Sequence, residues 1–142
     1  GNSMDQQLIN ADGGLILNKN NEASVDVDFD VENTGTCDIY IRVAVLPIIL
    51  HKENSQIVYK LNKSSCEIQY CNENNSSVLD DEYWEKSSDG YYYYKKVLKQ
   101  GQGLENGLIS KVKFKPNNSE VVDFCDKKVQ IAVKVESRQN EF

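Results

Sequence analysis

One histidine, two prolines, two arginines and no apolar run long enough to cross a bilayer set the first limits on this 142-residue chain. A single imidazole removes most designs for acid–base or metal-assisted catalysis, which draw on histidine first. A membrane-spanning helix needs about 20 consecutive apolar residues. The longest candidate, Ile39 to Leu50, is interrupted by Arg42 and Pro47, so no transmembrane segment is expected. No basic-then-apolar signal peptide stands at the front. The opening Gly1-Asn2-Ser3-Met4 reads as an expression remnant or a processed start, and the expectation is that a targeting segment has been removed. Basic charge is also short: 16 Lys plus Arg stand against 22 Asp plus Glu, a net charge of −6. Nucleic-acid binders need a basic stripe that displaces counterions from phosphates, so the balance argues against that partner.

Enough apolar material remains for a core. The hydrophobic fraction is 39%, with 8 Tyr, 4 Phe and 1 Trp, which rules out wholesale disorder. The length suits one domain.

The dominant period along the chain is two. Val25, Val27, Phe29 and Val31 alternate with Asp26, Asp28 and Asp30, the pattern of a strand with one face in a core. Val129, Ile131, Val133 and Val135 repeat it, and Leu108, Ser110, Val112 and Phe114 repeat it more weakly. Ile39 to Leu50 is apolar on both faces for part of its length, as a central strand would be, with Pro47 expected to mark a bulge or a strand end. Shorter strands are expected at Gly14 to Leu17, Ile57 to Leu61, Cys66 to Cys71 and Tyr91 to Lys95. Polar turns rich in Asn, Gly and Ser separate these runs, and only Val78 to Lys86 has the makings of a short helix. Many short strands with almost no helix imply an all-β antiparallel sandwich. Residues 1–21 read as a flexible leader or a donor strand, and residues 22–142 as a single sandwich domain.

Catalytic motifs are missing. His51 opens His-Lys-Glu-Asn, which cannot complete an H-E-x-x-H zinc site, and no nucleophile elbow or glycine-rich phosphate cradle occurs. Neither an enzyme nor a cofactor is expected. Four cysteines, Cys37, Cys66, Cys71 and Cys125, allow three disulfide pairings. Cys66 and Cys71 are close enough in sequence for a local loop, leaving Cys37 with Cys125 as a long-range staple. The alternative is four buried thiols. The spacing C-x28-C-x4-C-x53-C lacks the two close pairs of a structural zinc site.

Three features carry functional readings. Asp26, Asp28 and Asp30 share one strand face and can hold calcium with help from Asp80, Asp81 or Glu82; the plainer reading is a solvated face that discourages edge pairing. Tyr91-Tyr92-Tyr93-Tyr94 follows Trp84 and the turn Asp89-Gly90. Two of these tyrosines should face inward and two outward, and an exposed pair with Trp84 can stack on sugar rings or pack against a protein. Finally, the segment Met4 to Asn21 contains an apolar patch, Leu15, Ile16 and Leu17, that can close its own sheet or add to the edge of a neighbour's.

Val31-Glu32-Asn33-Thr34-Gly35-Thr36-Cys37-Asp38-Ile39-Tyr40-Ile41-Arg42-Val43 resembles the V-x-N-T-G-x-x-x-A-Y-V-R-V stretch of the SipW-dependent exported proteins of Gram-positive bacteria, the TasA-like, camelysin-like and clostridial matrix pilin-like family. Trp84, then Asp89-Gly90-Tyr91-Tyr92-Tyr93-Tyr94-Lys95, Leu98 and Gly101, is similar to that family's W…D-G-Y-Y-Y-Y-K-x-x-L-x-x-G segment. Ile131 to Gln139 resembles its closing V-x-V-x-V-E-A-x-Q, with Ile131 and Ser137 as the substitutions. The resemblance spans roughly Val25 to Gln139. It implies a jelly-roll-like sandwich, exported to the cell surface or biofilm matrix, in which some members polymerise by donating an N-terminal strand to the next subunit. The implied partners are further copies or other matrix proteins. Camelysin's protease activity is not carried over, because this chain has no zinc-ligand set.

Overall fold

The structure is a computed structural model that describes residues 3–11, 23–51, 57–60, 66–74, 76–115 and 127–142. Nine strands run through these residues: β1 Ser3–Ala11, β2 Ala23–Asp26, β3 Tyr40–His51, β4 Ile57–Lys60, β5 Cys66–Tyr70, β6 Trp84–Lys86, β7 Tyr92–Tyr94, β8 Ile109–Phe114 and β9 Lys127–Arg138. They form two antiparallel sheets, and no helix occurs among the described residues. The larger sheet has the order β1-β9-β3-β7-β6, with β4 also paired to β3. The smaller has the order β2-β8-β5. This is the all-β, sandwich-like architecture that the period-two pattern implies.

The core forms where the inward faces of the two sheets meet. Ile41, Val43, Ile131 and Val133 of the larger sheet join Val112 and Phe114 of the smaller in one buried cluster. Full burial of a side chain such as Phe114 contributes about 1.5–3 kcal/mol. Alternation decides which residues take part. Val27 and Phe29 are buried while Asp26, Asp28 and Asp30 stay exposed, although β2 itself ends at Asp26.

Three local expectations are corrected. Val78 to Lys86 does not form a helix. A turn closes at Asp80, whose carbonyl accepts from the Tyr83 and Trp84 N–H groups at 3.2 and 3.1 Å. β6 then begins at Trp84 because pairing with Tyr94 takes the indole into the core. Pro47 does not end β3, which continues to His51, and the register shift that β3 carries lies beyond it, between Ile49 and Leu50 in the pairing with β4. Between Val43, paired to β7, and Ile48, paired to β4, β3 has a strand on one side only among the described residues, so a nitrogen facing that gap costs no ladder bond there. At the start of β8, Leu108 and Ile109 are both buried, which strict alternation forbids. Leu108 has φ 63°, and the backbone rotation there turns successive side chains to the same side.

β1 lies at one end of the larger sheet. It pairs with β9 in continuous antiparallel register, from Ser3 opposite Ser137 to Ala11 opposite Val129. Among the described residues, β9 is its only partner strand.

Candidate functional site

The tyrosine run is split as a strand splits it. Tyr92 and Tyr94 are buried, while Tyr91 and Tyr93 lie half-buried on the opposite face. Trp84 is 0% exposed, so it belongs to the core and not to a surface platform. Its ring packs on Tyr94 with centroids 4.9 Å apart, and its indole N–H donates to the carbonyl and side-chain oxygens of Asn106 at 3.2 and 3.1 Å. A sugar-stacking surface of Trp84 with Tyr92 or Tyr94 is therefore excluded by burial.

The outward tyrosines sit instead in a charged cluster on the outer face of the larger sheet. β3 supplies Arg42, β9 supplies Glu136 and Arg138, and Asp89 lies in the turn before β7. Arg42 sits opposite both Tyr93 and Glu136 in the ladders. Its Nε and a terminal nitrogen donate to Glu136 Oε2 at 2.8 and 2.5 Å, and its other terminal nitrogen donates to the Tyr93 hydroxyl at 3.1 Å. The Tyr91 hydroxyl donates to Glu136 Oε1 at 3.1 Å, and the Tyr93 hydroxyl donates to Asp89. The Arg42 guanidinium lies 4.3 Å from the Tyr91 ring centroid and 4.7 Å from that of Phe142.

These contacts account for the titration of the cluster. The Arg42 hydrogen bonds hold the Glu136 carboxyl below its ordinary range, and the Tyr93 hydroxyl does the same for Asp89. The Tyr93 and Glu136 bonds hold Arg42 more firmly in its charged form. Within the array Arg42, Glu136 and Asp89 are satisfied by one another and by the tyrosine hydroxyls.

Arg42, Glu136, Asp89 and Phe142 were not singled out as site residues by composition or periodicity. One of them carries a readable signal. Arg42 is one of two arginines among 14 lysines, and it interrupts an apolar strand; a planar fork suits a bidentate carboxylate contact better than an ammonium does.

A second junction explains the Asn33-Thr34-Gly35 turn. Asn33 is 3% exposed, yet its polar groups are satisfied. Its side-chain nitrogen donates to the carbonyls of Cys37 and Leu98 at 2.8 and 3.0 Å, and its Oδ1 accepts from the Gly35 N–H at 3.1 Å. Its backbone N–H and carbonyl pair with Gln102 and Gly101. The Ile39 to Leu98 bridge lies beside it. The three segments that carry the family resemblance thus meet at two places, the Asn33 junction and the Arg42 cluster.

The remaining candidates are dispersed. Asp26 pairs with Lys111 at 3.6 Å, and Asp30 accepts from the N–H groups of Val31 and Leu104. Asp80 accepts from the Glu82 N–H within its own turn. Among the described residues, no group of three metal-binding side chains converges. Cys37 and Cys71 are free thiols, and burial pushes the Cys71 thiol upward. The expected Cys66–Cys71 loop is not formed, because β5 extends from Cys66 to Tyr70. A strand rises about 3.3 Å per residue, which separates the two Cα atoms far beyond the roughly 7 Å limit for a disulfide. Leu15, Ile16, Leu17 and Cys125 lie outside the described residues.

Compared with protein-family models, curated proteins and solved structures, the chain has no significant match in any of the three.

Proposed function

We propose that this chain is a non-enzymatic structural subunit of the cell surface or biofilm matrix, exported and assembled by β-strand addition, as its resemblance to the SipW-dependent family implies. The observation that carries the reading is the place of β1. This strand is terminal in the larger sheet, and nine consecutive residues pair with β9 and with no other described strand. Main-chain hydrogen bonds supply most of such an interaction, and they form equally well with the same segment of another copy. Eleven residues separate β1 from β2, a length that reaches at most about 36–40 Å when extended. That reach is compatible with pairing within one chain or with its neighbour.

Two further observations support the reading. The resemblance segments converge at Asn33 and Arg42, so they have a shared structural role beyond turn and strand chemistry. Arg42, Glu136 and Asp89 of the outer cluster are committed to partners within it, Arg42 on Glu136 and the Tyr93 hydroxyl on Asp89, which suits a scaffold better than a reaction centre. Size-exclusion chromatography with electron microscopy of the full chain tests the proposal. Concentration-dependent assembly into fibres is expected; a chain that stays monomeric under every condition contradicts it.

A further inference from the structure

Beyond the last residue of β9, Arg138, the chain turns back over the outer face of the larger sheet. Phe142 settles against Arg42, with the guanidinium 4.7 Å from its ring centroid, and against Arg138, at 5.3 Å. It also meets the Tyr93 ring edge-on, with centroids 5.7 Å apart and planes at 77°. Both arginines of the chain therefore converge on one phenyl ring.

We propose that Arg42, Arg138 and Tyr93 form a docking pocket for an aromatic side chain that adjoins an acidic residue, and that Glu141-Phe142 fills it in cis as an exchangeable strap. Three observations carry this. Two of the three walls are held without the strap, because Glu136 and the Tyr93 hydroxyl fix Arg42, and Asp89 fixes Tyr93. The strap is held lightly: among the described residues, no backbone hydrogen bond outside the ladders involves residues 139–142, so the ring contacts of Phe142 are its main attachment. One cation of the pocket is uncommitted. Arg138 forms no salt bridge among the described residues, whereas Arg42 is held by Glu136 and Lys134 lies 3.7 Å from the same carboxylate. The Arg138 guanidinium, beside the ring and outside any ion pair among the described residues, selects an acidic neighbour for the aromatic group. Glu141, exposed beside Phe142, supplies that pattern in cis. The inference stands apart from the assembly reading, since the pocket lies on the face of the sheet and not at its β1 edge.

The experiment uses the two arginine Nε–H signals, which are the only ones the chain can give in an NMR spectrum. Phe142→Ala is titrated with the peptide acetyl-Glu-Phe-amide, and acetyl-Glu-Ala-amide serves as the control. Both signals should move saturably with the first peptide and stay in place with the second. The unaltered chain, with its strap seated, should bind about tenfold more weakly. No saturable shift in Phe142→Ala, equal affinity of the two proteins, or an equal response to the control peptide overturns the proposal. A second measurement does not depend on the variant's folding. In the unaltered chain, nuclear Overhauser contacts should link the Phe142 ring to the side chains of Arg42 and Arg138, and their absence overturns the proposal as well.

Discussion

The hydroxyls of Tyr70 and Tyr92 lie 2.6 Å apart and join the two sheets by a hydrogen bond between β5 and β7. Their rings meet edge-on with centroids 5.8 Å apart. Burial, and then the Tyr70 bond, push the Tyr92 hydroxyl above the ordinary tyrosine value of 10.0. A phenol kept neutral by folding stabilises the native state fully below its unfolded value and loses that contribution as pH rises past it. Stability measured by urea unfolding should therefore fall above about pH 10. Tyr92→Phe should flatten this fall without abolishing it, since burial also raises Tyr94. At neutral pH the same variant should lose about 1 kcal/mol. A double-mutant cycle with Tyr70→Phe should return a favourable coupling; additive losses would count against the bond.

Glu136 gives the acid limb. Its native value is lowered from the ordinary 4.5, chiefly by Arg42, so its contribution is complete above that value and is lost as pH falls through the native one. Glu136→Gln should cost about 1 kcal/mol at pH 7, the scale of a partly exposed ion pair. It should also make stability less steep below about pH 4.5. Asp89, held low by Tyr93, leaves a residual slope. Chemical denaturation from pH 7 down to pH 3 checks both points.

Asn33→Ala should be worse than its small change in volume suggests. It removes a donor from the Cys37 carbonyl and one of the two donors to the Leu98 carbonyl, which keeps the Ile39 N–H, and each such hydrogen bond contributes about 0.5–1.5 kcal/mol. Asn33→Asp should be at least as damaging near neutral pH, because it sets a carboxylate against those two carbonyl oxygens. Thermal unfolding of both variants measures the effect, and wild-type behaviour in both would remove the junction from the account.

Trp84 offers an optical test of the core. The buried indole should emit at short wavelength and resist iodide quenching in the native protein, then become quenchable in denaturant. Trp84→Ala should cost about 3–5 kcal/mol. Strong native-state quenching would restore the surface platform that burial excludes.

Much of the fold was legible because alternation is local. Val27 and Phe29 against Asp26, Asp28 and Asp30 reveal a half-buried strand without knowledge of its partner, and the four tyrosines sort themselves by parity. Other features depended on contacts between distant parts of the chain. Trp84 suits a core as well as a surface, and only pairing with Tyr94 decides between them. Arg42 and Glu136 are 94 residues apart, so no window of sequence contains their contact. Pro47 is tolerated because β7 stops before it and β4 starts after it, a matter of neighbours and not of the proline itself. The helix expected at Val78 to Lys86 fails for a similar reason: the Trp84 to Tyr94 pairing overrides local tendency. At the candidate site, the outward tyrosines and the unusual Arg42 could be anticipated, but the partners that Arg42 meets could not.

Strand addition is tested most directly at the register of Gln6 opposite Lys134. Directly paired residues in an antiparallel ladder lie about 4.5–5.5 Å apart at Cα, within disulfide range. The double variant Gln6→Cys with Lys134→Cys is oxidised over a range of concentrations and run on a non-reducing gel, beside each single variant as a control for the native thiols. A ladder of covalently linked multimers, dependent on both new cysteines and growing with concentration, is the predicted result. A single intramolecularly bridged monomer at every concentration would contradict the proposed assembly.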